Sequence, residues 1–182
     1  MKFNNKNYII EVSIDDSSID EPFGNKFNKV YFEESEYIFP TKIGIKIFQN
    51  NKMINSAIIG SVGGGTGIHK NSLIIEDNRL IICCSNYVFC MTIPNLELEW
   101  KTKADFATCF AIFKLDSDYI VHGELEISKL NSKGEIIWKQ SGADIFTTEK
   151  GDDCFEITKS YIQAKDWSNN IYKFSFDGEI IK

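Results

Sequence analysis

The chain of 182 residues contains one arginine, two histidines, three prolines, six alanines and seven leucines. Alanine and leucine sustain helices best, so their scarcity excludes a helical bundle and argues against a doubly wound α/β fold. With Arg79 alone there is little capacity for bidentate readout of guanine or phosphate. The net charge of −6 also repels phosphate backbones, so no nucleic-acid partner is expected. No apolar run approaches the roughly 18 residues of a membrane span, so no membrane association is expected. His69 and His122 are the only histidines, which rules out a three-histidine metal site; neither metal nor other cofactor is expected. The opening residues lack the apolar core of a secretory signal. The five cysteines (Cys83, Cys84, Cys90, Cys109 and Cys154) form no CxxC pair. They read as reduced, buried small side chains, and the expected compartment is the cytoplasm.

What the chain has in excess is 28 isoleucines and 14 phenylalanines. β-Branched and aromatic side chains fit a pleated surface, so the expected class is all-β. Part of the isoleucine excess belongs with the 19 lysines and 15 asparagines as the signature of an AT-rich genome. The aliphatic residues recur in register. Asn78–Lys103, Ser117–Ser141 and Lys159 onward share one layout: strand, polar turn, strand, Asn- or Gly-bearing turn, final strand. Leu80, Tyr119 and Ile162 take equivalent early positions, and Trp100, Trp138 and Ile181 equivalent late ones. A weaker copy runs from Ile43 to Gly60 with Asn50-Asn51 at its turn. Gly134 and Gly178 supply the positive φ that tight hairpin turns need. Repeats of about 40 residues with three or four strands each are the period of propeller blades.

The segment KLNSKGEIIWKQSGADIF, with Gly134 before a strand bearing Trp138, resembles the blades of quinoprotein-dehydrogenase-like and WD-repeat β-propellers. IPNLELEWKTKADF repeats the pattern with Asn95 in the glycine position and Trp100 in the strand. The resemblance implies a small or incomplete β-propeller-like array of about four three- to four-stranded antiparallel units. A twisted β-sandwich is the alternative. One domain, 1–182, is expected, with 1–60 a divergent N-terminal unit and 61–103, 104–141 and 142–182 clearer repeats. The departures are the missing tryptophan of the last copy and the absence of a Trp-Asp pair at a blade end. Quinone-dependent relatives would imply a disulfide between adjacent cysteines, but Cys83 and Cys84 sit in a strand that sends neighbours to opposite faces. A non-enzymatic version is expected.

Four places carry candidate chemistry. The glycine-rich stretch 60–72 lacks the Lys-Ser/Thr of a phosphate loop and reads as a mobile connector, with Thr66 and His69 as candidate contacts. His122, Glu124 and Glu126 alternate as if along one strand face, which reads as a solvated surface, a protein contact, or a metal or catalytic set. Asp144 and Asp166 lie between strands where Asp fixes turns, and Asp144 is kept as a binding candidate. The acidic stretches Ile14–Pro22 and Phe32–Tyr37 are where an acidic chain would meet a basic one. No nucleophile elbow is present. The function expected is therefore a non-catalytic cytosolic protein-interaction module. Its sharpest form is an acidic immunity-type inhibitor of a basic toxin. The alternative is a small-ligand or carbohydrate-binding protein, or an enzyme, using the glycine loop and the His122/Glu124 face. Convergence of His69, His122 and Glu124 in one cleft would favour that alternative.

Overall fold

A computed structural model describes residues 1–15, 26–32, 39–151 and 153–181. Most of the two acidic stretches, at 16–25 and 33–38, lies outside the described residues. The described residues form sixteen strands and no helix. They are β1 (Lys2–Asn5), β2 (Tyr8–Ile14), β3 (Lys29–Phe32), β4 (Thr41–Gln49), β5 (Lys52–Ser61), β6 (Leu73–Glu76), β7 (Arg79–Cys84) and β8 (Tyr87–Thr92). There follow β9 (Leu98–Lys103), β10 (Cys109–Leu115), β11 (Asp118–Gly123), β12 (Glu126–Leu130), β13 (Ile136–Ser141), β14 (Phe155–Ile157), β15 (Ile162–Lys165) and β16 (Ile171–Phe174).

Four sheets result. The first has the order β1-β2-β4-β5-β3, and the other three are simple meanders, β6 to β9, β10 to β13 and β14 to β16. All pairings are antiparallel except β3 with β5, which is parallel. Local turn chemistry sets the hairpins. Asn50 and Asn51 both adopt positive φ (50° and 62°) in the two-residue β4–β5 turn, the conformation that matches strand twist there.

The sheets stack face to face through three apolar layers. Ile10, Ile43, Ile45 and Ile59 of the first sheet meet Leu80, Ile82 and Phe89 of the second. Ile81, Cys83 and Val88, on the other face of the second, meet Ile112, Tyr119 and Val121 of the third. Ile120 and Ile127 then meet Ile162, Ala164 and Phe174 of the fourth. Residues 80–84 are thus apolar without a break because β7 is buried on both faces. Cys83 and Cys84 go to opposite layers, as strand alternation requires, and all five cysteines are buried outside any disulfide. Burial pushes the Cys84 thiol up to about 12.

Among the described residues no apolar layer joins the fourth sheet back to the first. Alternation turns Glu156, Gln163, Lys165 and Lys173 away from the third sheet, which gives the fourth a polar outer face.

Tryptophan and glycine lock successive sheets together at their last strands. Gly134 (φ 80°) and Gly178 (φ 87°) each lie flat against the tryptophan of the preceding sheet, Trp100 and Trp138 respectively. Two residues after each tryptophan, a polar side chain donates to the carbonyl of that glycine: Thr102 Oγ1 to Gly134 O at 2.6 Å and Gln140 Nε2 to Gly178 O at 2.7 Å. Trp138 Nε1 also donates to Phe176 O. Between the first two sheets the corresponding position is taken by Tyr31, whose hydroxyl donates to Leu96 O at 2.9 Å.

Candidate functional site

The loops that join one sheet to the next are pinned to hairpin turns of the sheet that follows. Ser61 Oγ donates to Asn86 Oδ1 at 2.7 Å in the β7–β8 turn. Asp105 Oδ1 accepts from the N–H groups of Ala107 and Thr108, and Oδ2 from those of Leu125 and Glu126 in the β11–β12 turn. Asp144 Oδ2 accepts from Ser168 Oγ in the β15–β16 turn. Gly64 N–H donates to Ala107 O and Glu124 N–H to Thr108 O, so these loops form one continuous hydrogen-bonded face. Burial raises the Asp105 carboxyl pKa even though four N–H donors oppose it.

Asp105 is the residue that sequence reasoning missed. The signal was available in the recurrence Ala104-Asp105 and Ala143-Asp144 just after the two tryptophan-bearing strands. Asp144 fills the equivalent place, and Asp166, fully buried, accepts from Asn170 in its own turn and from the Tyr172 hydroxyl of β16.

Asp105 also explains why His122, Glu124 and Glu126 do not share a strand face. The expected continuous strand is broken after Gly123, where any Cβ would collide with the Asp105 carboxylate. Glu124 and Leu125 become the hairpin turn, and Val121 and Ile127 end in different apolar layers. His122 is no solvated residue either: its side chain is buried at 6% exposure between the third and fourth sheets. Its ring stacks on Phe155 at 4.6 Å and 9° and meets the Phe110 ring edge-on at 5.5 Å. Nε2 lies 2.7 Å from Phe146 O and must carry the proton, since a carbonyl only accepts. Burial lowers the His122 pKa to about 4, so the ring is neutral near pH 7.

The glycine-rich loop is anchored where a mobile connector was expected. Thr66 is 5% exposed; its N–H donates to Thr41 Oγ1 and its hydroxyl turns toward Ser85 O and Cys109 O. His69 is exposed, yet both ring nitrogens are used: Nε2 is 3.0 Å from Phe110 O, and Nδ1 accepts from Asn71 N–H at 3.3 Å.

Two clefts open among these elements. One, of about 520 Å³, is bounded by His69, Lys70 and Asn71, by Phe110 and Phe113 of β10, and by His122 and Phe155. Both histidines therefore share a cleft, whereas Glu124 is not part of its lining. The second, of about 460 Å³, is bounded by Phe106, Leu125, Glu126 and the 141–145 loop with Asp144. Glu126 pairs with Lys139 at 2.8 Å, and the Lys103 ammonium sits 4.9 Å above the Phe106 ring. Three or more metal-ligating side chains come together nowhere among the described residues.

No protein-family model and no curated protein sequence matches the chain. Solved structures do. The computationally designed Ika8 protein superposes with a TM-score of 0.53 at 9% identity, over 81% of this chain and 46% of that one. The designed Ika4 protein gives 0.50 at 9% identity, over 65% and 76%. The WD40 domain of Neurospora crassa Pan2 gives 0.47 at 15% identity, over 62% and 36%, so this chain spans well under half of that structure's length. The two designed proteins are β-propellers, and a likeness at this identity shows the fold alone. Stacked small meanders and that likeness together make this an all-β chain with a propeller-like, incomplete blade array.

Proposed function

We propose that the chain is a non-catalytic interaction module whose inter-sheet loop face binds a basic protein. The observation that carries this reading is Phe106, 72% exposed on that face beside the cleft that holds Asp144 and Glu126. Trp167, 52% exposed, is tied by its backbone N–H to Ile145 O in the loop that borders this cleft. Large aromatics held on pinned loops are interface anchors in the making, because their burial by a partner costs little conformational entropy. The net charge of −6 supplies the attraction for a basic surface. In its sharpest form the module is a cytoplasmic immunity-type inhibitor that covers a basic toxin, and a toxin-like reading frame next to its gene would support that form.

The test is capture from a lysate of the source cells with the intact chain as bait, at low and high salt, alongside Phe106→Ala. A basic protein held at low salt, released as salt rises and lost with Phe106→Ala is the expected result. Retention that ignores both salt and the substitution would overturn the reading.

A further inference from the structure

We infer that the cleft between the inner strands of the third and fourth sheets is a binding site for a small planar aromatic molecule carrying a hydroxyl or N–H donor and an anionic group. The inference concerns a different cleft from the Phe106 face, and either can fail without the other.

The walls supply the aromatic preference. Phe113 stacks on Phe155 at 5.2 Å, His122 stacks on the same ring, and Phe110 closes the corner edge-on. A flat ring entering this cleft exchanges water for ring faces and edges, the geometry that aromatic pairs favour. About 520 Å³ is within the range of sites that take small organic molecules.

The donor requirement comes from His122. With Nε2–H committed to Phe146 O and the ring neutral, Nδ1 is a lone-pair acceptor. No donor reaches Nδ1 among the described residues, yet it is not among the polar atoms sealed from solvent, so it opens on the cleft that His122 lines. Nδ1 is therefore open to water in the cleft, and a ligand ring that displaces that water must supply an O–H or N–H in its place or leave the acceptor unpaired.

The anionic group answers Lys70. His69 ties its loop to β10 through Nε2 and braces the loop itself through Nδ1, and Asn71 O accepts from Ile112 N–H of β10 at 2.7 Å. These bonds hold Lys70 and Asn71 in the lining of the cleft, which Thr147 also borders. Lys70 has no carboxylate partner among the described residues, in a chain with more acidic than basic side chains. The side chains of Asn71 and Thr147 likewise make no hydrogen bond there, which leaves them for the ligand.

The experiment uses the full chain labelled with ¹⁵N-histidine, titrated with phenol, indole and 4-hydroxybenzoate, and with anisole as the ring that lacks a donor. Saturable movement of the His122 Nδ1 resonance is expected with the first three, and anisole should bind about tenfold more weakly than phenol. Lys70→Gln should weaken 4-hydroxybenzoate severalfold and leave phenol unchanged. His122→Phe, which keeps the stacked ring, should bind anisole as well as phenol; if it does not fold, the phenol–anisole comparison in the unaltered chain decides. The site is overturned if none of the three moves Nδ1 up to about 10 mM, a weak-binding limit. It is overturned equally if anisole matches phenol. Equal loss of phenol and 4-hydroxybenzoate in Lys70→Gln would remove the anionic requirement.

Discussion

Asp105 holds four backbone N–H groups with one carboxylate, and no salt bridge to it forms among the described residues. Replacement by alanine would strand those donors in a place closed to water. Asp105→Ala should lower the unfolding free energy by about 3 kcal/mol or more in urea titration, well beyond a surface substitution. An effect within about 0.5 kcal/mol would mean that the turn finds other acceptors. His122 makes the second residue-scale prediction, through pH. Its pKa is about 4 folded against an ordinary 6.5, so between these values the unfolded chain binds the extra proton. Its contribution is fully present above pH 6.5 and is lost as pH falls toward 4, by up to about 3 kcal/mol. The stability difference between the unaltered chain and His122→Phe, followed from pH 7 to 4.5, should shift by that order. A flat difference would show that His122 charges without penalty.

At the scale of elements, the Gly–Trp contact joins the last strand of one sheet to the last hairpin of the next. Both glycines have positive φ, and a Cβ on Gly178 would lie 2.7 Å from the Trp138 ring. Gly134→Ala and Gly178→Ala should each cost about 2 kcal/mol or more by thermal or urea unfolding, from backbone strain and overpacking combined. Gly67→Ala, with open space around its Cβ and no positive φ, is the control and should be nearly neutral. The pairing of these motifs was legible: Gly134, Gly178, Trp100 and Trp138 recur in sequence at matching places. Which glycine meets which tryptophan was not, because the contact crosses between repeats. The β11–β12 break was illegible for the same reason. Residues 121–127 alternate well enough for a strand, and what bends them is a carboxylate from the loop after β9.

Across the whole molecule, burial is uneven. The second and third sheets have apolar layers on both faces, whereas the fourth shows charged side chains on its outer one. Native-state hydrogen exchange should therefore find the slowest amides in β7, β8 and β11, with β14 to β16 opening at distinctly lower free energy. Uniform protection over all four sheets would contradict so graded an array.

By itself the sequence determined the all-β class, the hairpins and the repeat, because strand periodicity and the φ preferences of Gly and Asn act within a few residues of one another. It also carried the consequence of having so little Leu and Ala: no material for a helical bundle. Tertiary structure decided the rest. The stacking of sheets put His122 inside and left His69 outside, though both now border one cleft. It divided the His122, Glu124 and Glu126 set between a core position, a turn and a strand start. Burial and hydrogen-bond partners of a side chain depend on what the chain brings from far away, and no local pattern encodes that distance.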